Sequence, residues 1–170
     1  MNAPDYLSEI LCELADSGVQ FVVAGGVAAV LHGVERATMD LDLAIQWDDT
    51  NVRRFTRAMM KLGLEPKMPV PVDILENAAN LKAMMQEKGA LVCSFRDPDD
   101  PIRLVDLFIR PELSYDVLSP DAVSISLHAR VIRIVSKRKL LALKQQIRPP
   151  RPKDELDIST LKAMMEQNED

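Results

Sequence analysis

Apolar residues near the start of the chain recur at a helical period. Leu7, Ile10, Leu11 and Leu14 stand at i, i+3, i+4 and i+7, which predicts an amphipathic helix over Asp5–Asp16 that stops before Gly18. The pattern then changes. Phe21–Ala24 reads as a short buried strand running into Gly25-Gly26, and the small residues from Val27 to Leu31 predict a short helix broken by Gly33. Met39–Ile45 alternates and predicts a second strand. Val52, Phe55, Met59 and Leu62 mark a helix closed by Gly63. Asp73, with Glu76 three residues on, predicts a capping box that opens one helix running to about Glu87, with Ile74, Ala78, Leu81 and Met85 as its apolar stripe. Residues 90–96 and 102–109 predict two strands that reverse as a hairpin through Asp97-Pro98-Asp99-Asp100-Pro101. Residues 123–127 and 131–135 add two more. Ser136 is placed to cap a helix carrying Leu140, Leu143 and Ile147. Prolines 149, 150 and 152 interrupt helix formation before a last helix over Lys153–Gln167. This order predicts an α/β (α+β) fold, a mixed β-sheet flanked by helices. One compact domain is expected, with residues 1–135 as its core and 136–170 as C-terminal helices packed on it.

Composition narrows the function classes. The chain has 170 residues, 47% of them hydrophobic, enough to bury one ordinary core. No basic-led apolar leader opens the chain and no run of about eighteen apolar residues occurs, so no membrane partner and a cytoplasmic location are expected. Two cysteines, Cys12 and Cys93, lack metal-ligand spacing and read as reduced core thiols. A formal net charge of −5 argues against wrapping nucleic acid by bulk electrostatics. Positive residues nevertheless gather between Arg130 and Lys153, and a basic face there could meet phosphate or stand as a solvated helix surface.

Three carboxylates change the picture. Alternation along a strand puts Asp40 and Asp42 on one face and Leu41, Leu43 and Ile45 on the other. Like charges side by side are costly unless a cation or proton intervenes. Magnesium, a hard ion that takes oxygen ligands and shares its shell with substrate phosphates, answers that cost. Asp106, inside the strand Ile102–Ile109, needs a partner too. If its strand lay beside the one carrying Asp40 and Asp42, three carboxylates would surround one or two metal ions suited to displacement at phosphorus. Two Mg²⁺ ions are expected, with Mn²⁺ as the alternative. Gly25 and Gly26, between a strand and a helix start, leave backbone N–H groups open to phosphate. Arg36 offers planar donors to phosphate, Lys144 is a candidate phosphate or substrate contact, and Thr38 caps or orients the strand entry. His32 reads as a packing residue at a helix end.

Taken together, Gly25-Gly26-Val27-Ala28, His32-Gly33, Arg36, Thr38 and Asp40-Leu41-Asp42-Leu43 resemble the signature of the nucleotidyltransferase superfamily that includes DNA polymerase β. The closest resemblance is to AbiEii-type abortive-infection toxins and their small relatives. The resemblance implies a nucleotidyltransferase fold in which the glycine pair, Arg36, Thr38 and Lys144 bind a nucleoside triphosphate. It also implies that Asp40, Asp42 and Asp106 hold metal and carry catalysis. Lys144, the Arg151-Pro152-Lys153-Asp154 run and Asp157 are similar to the AbiEii-type ending, which faces the active site. One departure is Gly26, where many active members have serine. The implied activity moves an NMP group from an NTP to a hydroxyl of a tRNA end, a protein or a small molecule, releasing pyrophosphate. The alternative is a nucleotide-binding module that has lost transfer, such as half of a toxin–antitoxin pair with a cognate antitoxin as partner.

Overall fold

The computed structural model describes residues 5–167; the outermost residues of the two expected segments, 1–4 and 168–170, lie outside the described part. In chain order the elements are α1 (Asp5–Asp16), β1 (Phe21–Ala24), α2 (Gly25–Leu31), β2 (Asp40–Ile45), α3 (Asp49–Lys61), β3 (Glu65–Pro66), α4 (Val72–Leu75) and α5 (Ala78–Glu87). There follow β4 (Val92–Arg96), β5 (Leu104–Phe108), a 3-10 turn at Pro111–Leu113, α6 (Tyr115–Leu118), β6 (Val123–Leu127), β7 (Arg130–Ile134), α7 (Lys137–Gln145) and α8 (Pro152–Glu166). The strands form one seven-stranded mixed sheet in the order β3-β4-β5-β2-β1-β7-β6.

Why these residues make these strands is visible in burial. Leu41, Leu43, Ala44 and Ile45 of β2, Val105 and Leu107 of β5, and Val22 and Val23 of β1 are buried, so the centre of the sheet is apolar where helices cover it. Leu7, Ile10, Leu11 and Leu14 of α1 and Val52, Phe55 and Met59 of α3 join the same core, as the helical spacing predicts. Phe55 meets Phe95 of β4 edge-to-face with ring centroids 5.3 Å apart. The core also takes in Leu140 of α7 and Leu161 of α8, so the C-terminal helices share it.

Three expectations need correction. The residues expected to form one helix from a capping box at Asp73 form two, α4 and α5. The chain breaks at Glu76-Asn77: the Thr56 hydroxyl donates to the Leu75 carbonyl, and Asn77 becomes the new N-cap, accepting from the Asn80 N–H. Helix α2 begins at Gly25 rather than after the glycine pair, and α8 begins at Pro152, since proline suits the first helical position. The short strand β3 and helix α6 carry too few residues for a periodic signal and were not expected.

Two pairings position the site. β1 and β2 run antiparallel with Ala24 opposite Asp42, and β2 and β5 run parallel with Asp42 opposite Asp106. The expected hairpin is present as the antiparallel pair β4–β5, with Ser94 opposite Asp106. Its turn is tied by Asp97, whose carboxylate accepts from the N–H groups of Asp99 and Asp100. One straight row of side chains therefore crosses four strands: Ser94, Asp106, Asp42, Ala24.

Candidate active site

The C-terminal end of β1, the N-terminal half of β2 and the middle of β5 open into a cavity of about 580 Å³. It is lined by the carboxylates Asp40, Asp42 and Asp106, by Gly25, Gly26 and Thr38, and by the cations Arg36, Lys144, Arg151 and Lys153. All eight residues singled out from the sequence thus line one space.

Gly25 is required there by geometry. Its φ is +60°, and a Cβ on it would sit 1.9 Å from the Asp42 Oδ2, so only glycine lets the carboxylate lie against this backbone. At Gly26 a Cβ would fall 2.4 Å from an Arg36 guanidinium nitrogen and 2.6 Å from the Thr38 Oγ1. The volume a serine would need is filled by the polar ends of Arg36 and Thr38, which a serine would have to displace.

The carboxylates are poorly neutralised. Burial, then the neighbouring charges of Asp106 and Asp40, push Asp42 up to about 6. Lys144 and Lys153 act on it in the opposite sense. Among the described residues none of the three has an ion-pair partner, and the one hydrogen bond among them comes from the Ser94 hydroxyl, which donates to the Asp106 Oδ1 at 2.5 Å.

Three of these cations, Arg36, Lys144 and Arg151, are already engaged. Lys144, 5% exposed, lies 3.0 Å from Asp154 and 2.8 Å from Asp157, both fully buried. Arg36 reaches Asp157 through Nε at 2.7 Å and through a terminal nitrogen at 3.2 Å, and also donates to the Ala37 carbonyl. Arg151 grips Asp154 through two nitrogens. Burial raises the Asp154 pKa, but the hydrogen bonds and charges of Arg151 and Lys144 outweigh it and hold that carboxyl far below the usual range. Two buried aspartates on α8 thus fix three cations along one side of the cavity. Asp154, Asp157 and Leu161 stand at i, i+3 and i+7 on α8 and all are buried, so the two aspartates that the resemblance named share a helix face with a core leucine.

Other residues the sequence argument left aside also belong here. Arg110, Glu112 and Arg148 line the cavity mouth. Ser94 was missed because a lone serine in a strand carries no signal until the register is known. His32 takes the packing role expected of it: its Nε2 lies 2.7 Å from the Val135 carbonyl, and burial lowers its pKa.

Magnesium suits the donor set. Three carboxylates face one cavity, none of them in direct ion pairing among the described residues, and they offer hard oxygen ligands. Among the described residues no three His, Cys, Asp or Glu side chains already stand together as a metal cage. Magnesium does not require one, since it commonly takes one or two carboxylates and completes its shell with water and phosphate oxygens.

Comparison with solved structures decides the architecture. A lincosamide antibiotic adenylyltransferase, LnuA, in its lincomycin-bound crystal structure, matches with a TM-score of 0.62 at 12% identity, covering 94% of this chain and 96% of that one. An antigenic nucleotidyltransferase-like protein from Paracoccidioides brasiliensis matches with a TM-score of 0.57 at 17% identity, covering 94% and 76%. The chain has the nucleotidyltransferase fold. ANT(2")-Ia, in a complex with adenylyl-2"-tobramycin, shares this nucleotidyltransferase fold over 98% of both chains, with a TM-score of 0.54 at 12% identity. No protein-family model and no curated protein matches the sequence. Among the described residues no helix is long and apolar enough to cross a membrane.

Proposed function

We propose that the protein is a metal-dependent nucleotidyltransferase that moves an NMP group from a nucleoside triphosphate to a hydroxyl acceptor and releases pyrophosphate. The observation that carries this reading is the row of Asp42 and Asp106 on adjacent strands, facing a cavity with Asp40 and, among the described residues, without a direct ion pair of their own. In a nucleotidyltransferase fold, that row lies beside a glycine pair able to approach phosphate. Asp40, Asp42 and Asp106 would hold one or two magnesium ions, which supply charge neutralisation at the triphosphate and at the developing oxyanion. The backbone of Gly25 and Gly26 and the hydroxyl of Thr38 orient the phosphates. Arg36 and Lys144, held by Asp154 and Asp157, present positive charge without moving. Asp106 accepts the acceptor's hydroxyl proton as the oxygen bonds to the α-phosphorus; the bond from that phosphorus to the bridging oxygen breaks, and pyrophosphate leaves with the electron pair. The acceptor class stays as wide as a tRNA end, a protein hydroxyl or a small molecule, the last in keeping with the antibiotic named for LnuA. The AbiEii-type resemblance belongs to this proposal.

The second reading, nucleotide binding without transfer, draws on the absence of a ready-made three-ligand cage among the described residues. Calorimetry with ATP and Mg²⁺, followed by measurement of released pyrophosphate over an acceptor panel, separates the two. Release that disappears in Asp42→Asn supports transfer; binding with no release from any acceptor overturns it.

A further inference from the structure

Ser94 has no place in the sequence signature, yet among the described residues it is the one side chain that hydrogen-bonds to any of the three carboxylates. It stands directly opposite Asp106 across the β4–β5 ladder, and Asp106 stands directly opposite Asp42. Side chains at such positions share a face with Cβ atoms about 5 Å apart, within reach of a serine hydroxyl. The hydroxyl has a single proton, and it gives that proton to the Asp106 Oδ1 at 2.5 Å. Among the described residues Asp106 has no other hydrogen-bond or ion-pair partner.

We propose that Ser94 is a positioning residue that fixes the rotamer of Asp106 so that its second oxygen serves the active site; the inference rests on the functional reading above. The two oxygens of a carboxylate diverge. Tying Oδ1 to the β4 side therefore turns Oδ2 toward β2, the Asp42 side, and the cavity that Asp106 lines. Without that tie, the like charge of Asp42 directly across the β2–β5 ladder drives Asp106 away from the position both groups must share. The hydroxyl supplies the opposing restraint from the far side of the row. At the other end of the row stands Ala24, whose methyl offers Asp42 no polar contact. The restraint is thus one-sided, and it acts on the carboxylate assigned the proton transfer. Cys93, the neighbour of Ser94 on β4, is buried in the core on the opposite face and cannot substitute.

The test compares Ser94→Ala with Ser94→Thr, which keeps the hydroxyl. In Ser94→Ala, kcat for magnesium-dependent ATP turnover falls by roughly tenfold or more while KM for ATP stays within about twofold, and the midpoint of Mn²⁺ binding followed by electron paramagnetic resonance rises several-fold. Ser94→Thr recovers most of both, and both variants melt close to wild type. A crystal structure of Ser94→Ala shows Asp106 in a changed rotamer. Unchanged turnover and Mn²⁺ binding in Ser94→Ala, or Asp106 unmoved in its structure, overturns the positioning role. A wild-type protein that neither binds Mn²⁺ nor turns over triphosphate overturns the functional reading instead, and the Asp106 rotamer then still decides whether Ser94 holds it.

Discussion

Asp42 is a carboxylate the folded chain would be more stable without. Its pKa is raised to about 6 by burial and by Asp106 and Asp40. The folded state therefore binds more protons than the unfolded one between about pH 4 and pH 6, and stability falls as pH rises through that window. The loss is complete above about pH 6 and amounts to roughly 3 kcal/mol. In metal-free protein, Asp42→Asn is expected to remove this dependence and to melt higher than wild type at pH 7.5, while losing triphosphate turnover. Melting curves from pH 4.5 to 7.5 check it, and a variant no more stable than wild type at the upper end contradicts the assigned strain. The glycine pair makes a second prediction at this scale. Gly25→Ala brings both a positive-φ cost and a collision with Asp42, so a loss of about 1–3 kcal/mol and of nucleotide binding is expected. Gly26→Ser, which restores the residue of the serine-bearing pattern, must displace Thr38 and Arg36 and is expected to weaken ATP binding rather than improve it, as calorimetry would show.

Helix α8 acts as a backing plate for the cationic wall. Asp154 and Asp157 are fully buried, and each pairs with Lys144; Asp157 adds Arg36 and Asp154 adds Arg151. Removing the lysine leaves two carboxylates with less compensation in the interior. Lys144→Met is therefore expected to cost about 3–5 kcal/mol, a fall of about 10 °C in the melting temperature. The same cluster makes the protein acid-sensitive. The Asp154 pKa is depressed in the folded state, so its contribution is fully present above about pH 4 and is lost as pH falls further toward its folded value. Combined with the opposite dependence of Asp42, metal-free stability should peak near pH 4–5. A denaturation series that keeps climbing below pH 4 would contradict the depressed Asp154.

At the scale of the whole molecule, the cavity lies between the sheet and the C-terminal helices, and a ligand there contacts both. Magnesium with ATP at about a hundred times its dissociation constant should add about 2.7 kcal/mol and raise the melting temperature by several degrees. The same additions should leave the melting temperature of Asp42→Asn nearly unchanged; differential scanning fluorimetry reads both. Much of this architecture was legible in one dimension. The period of Leu7, Ile10, Leu11 and Leu14, the alternation of Asp40 to Leu43, and the Asp-Pro reversal before β5 are local signals, because helix and strand periods are set by backbone geometry. The split of α4 from α5 was not legible, since it depends on Thr56 reaching the Leu75 carbonyl from another helix. Gly26 looked like a lost serine, and only the tertiary structure shows that Arg36 and Thr38 occupy the space a side chain would need. What the sequence determined by itself was most of the longer helices and strands and the face each carboxylate occupies on its own strand. Tertiary structure alone decided that Asp42 lies opposite Asp106, that Ser94 closes the row, and that Asp154 and Asp157 hold Arg36 and Lys144. Pairing register and helix docking join residues far apart in the chain, and no local period encodes which of them will meet.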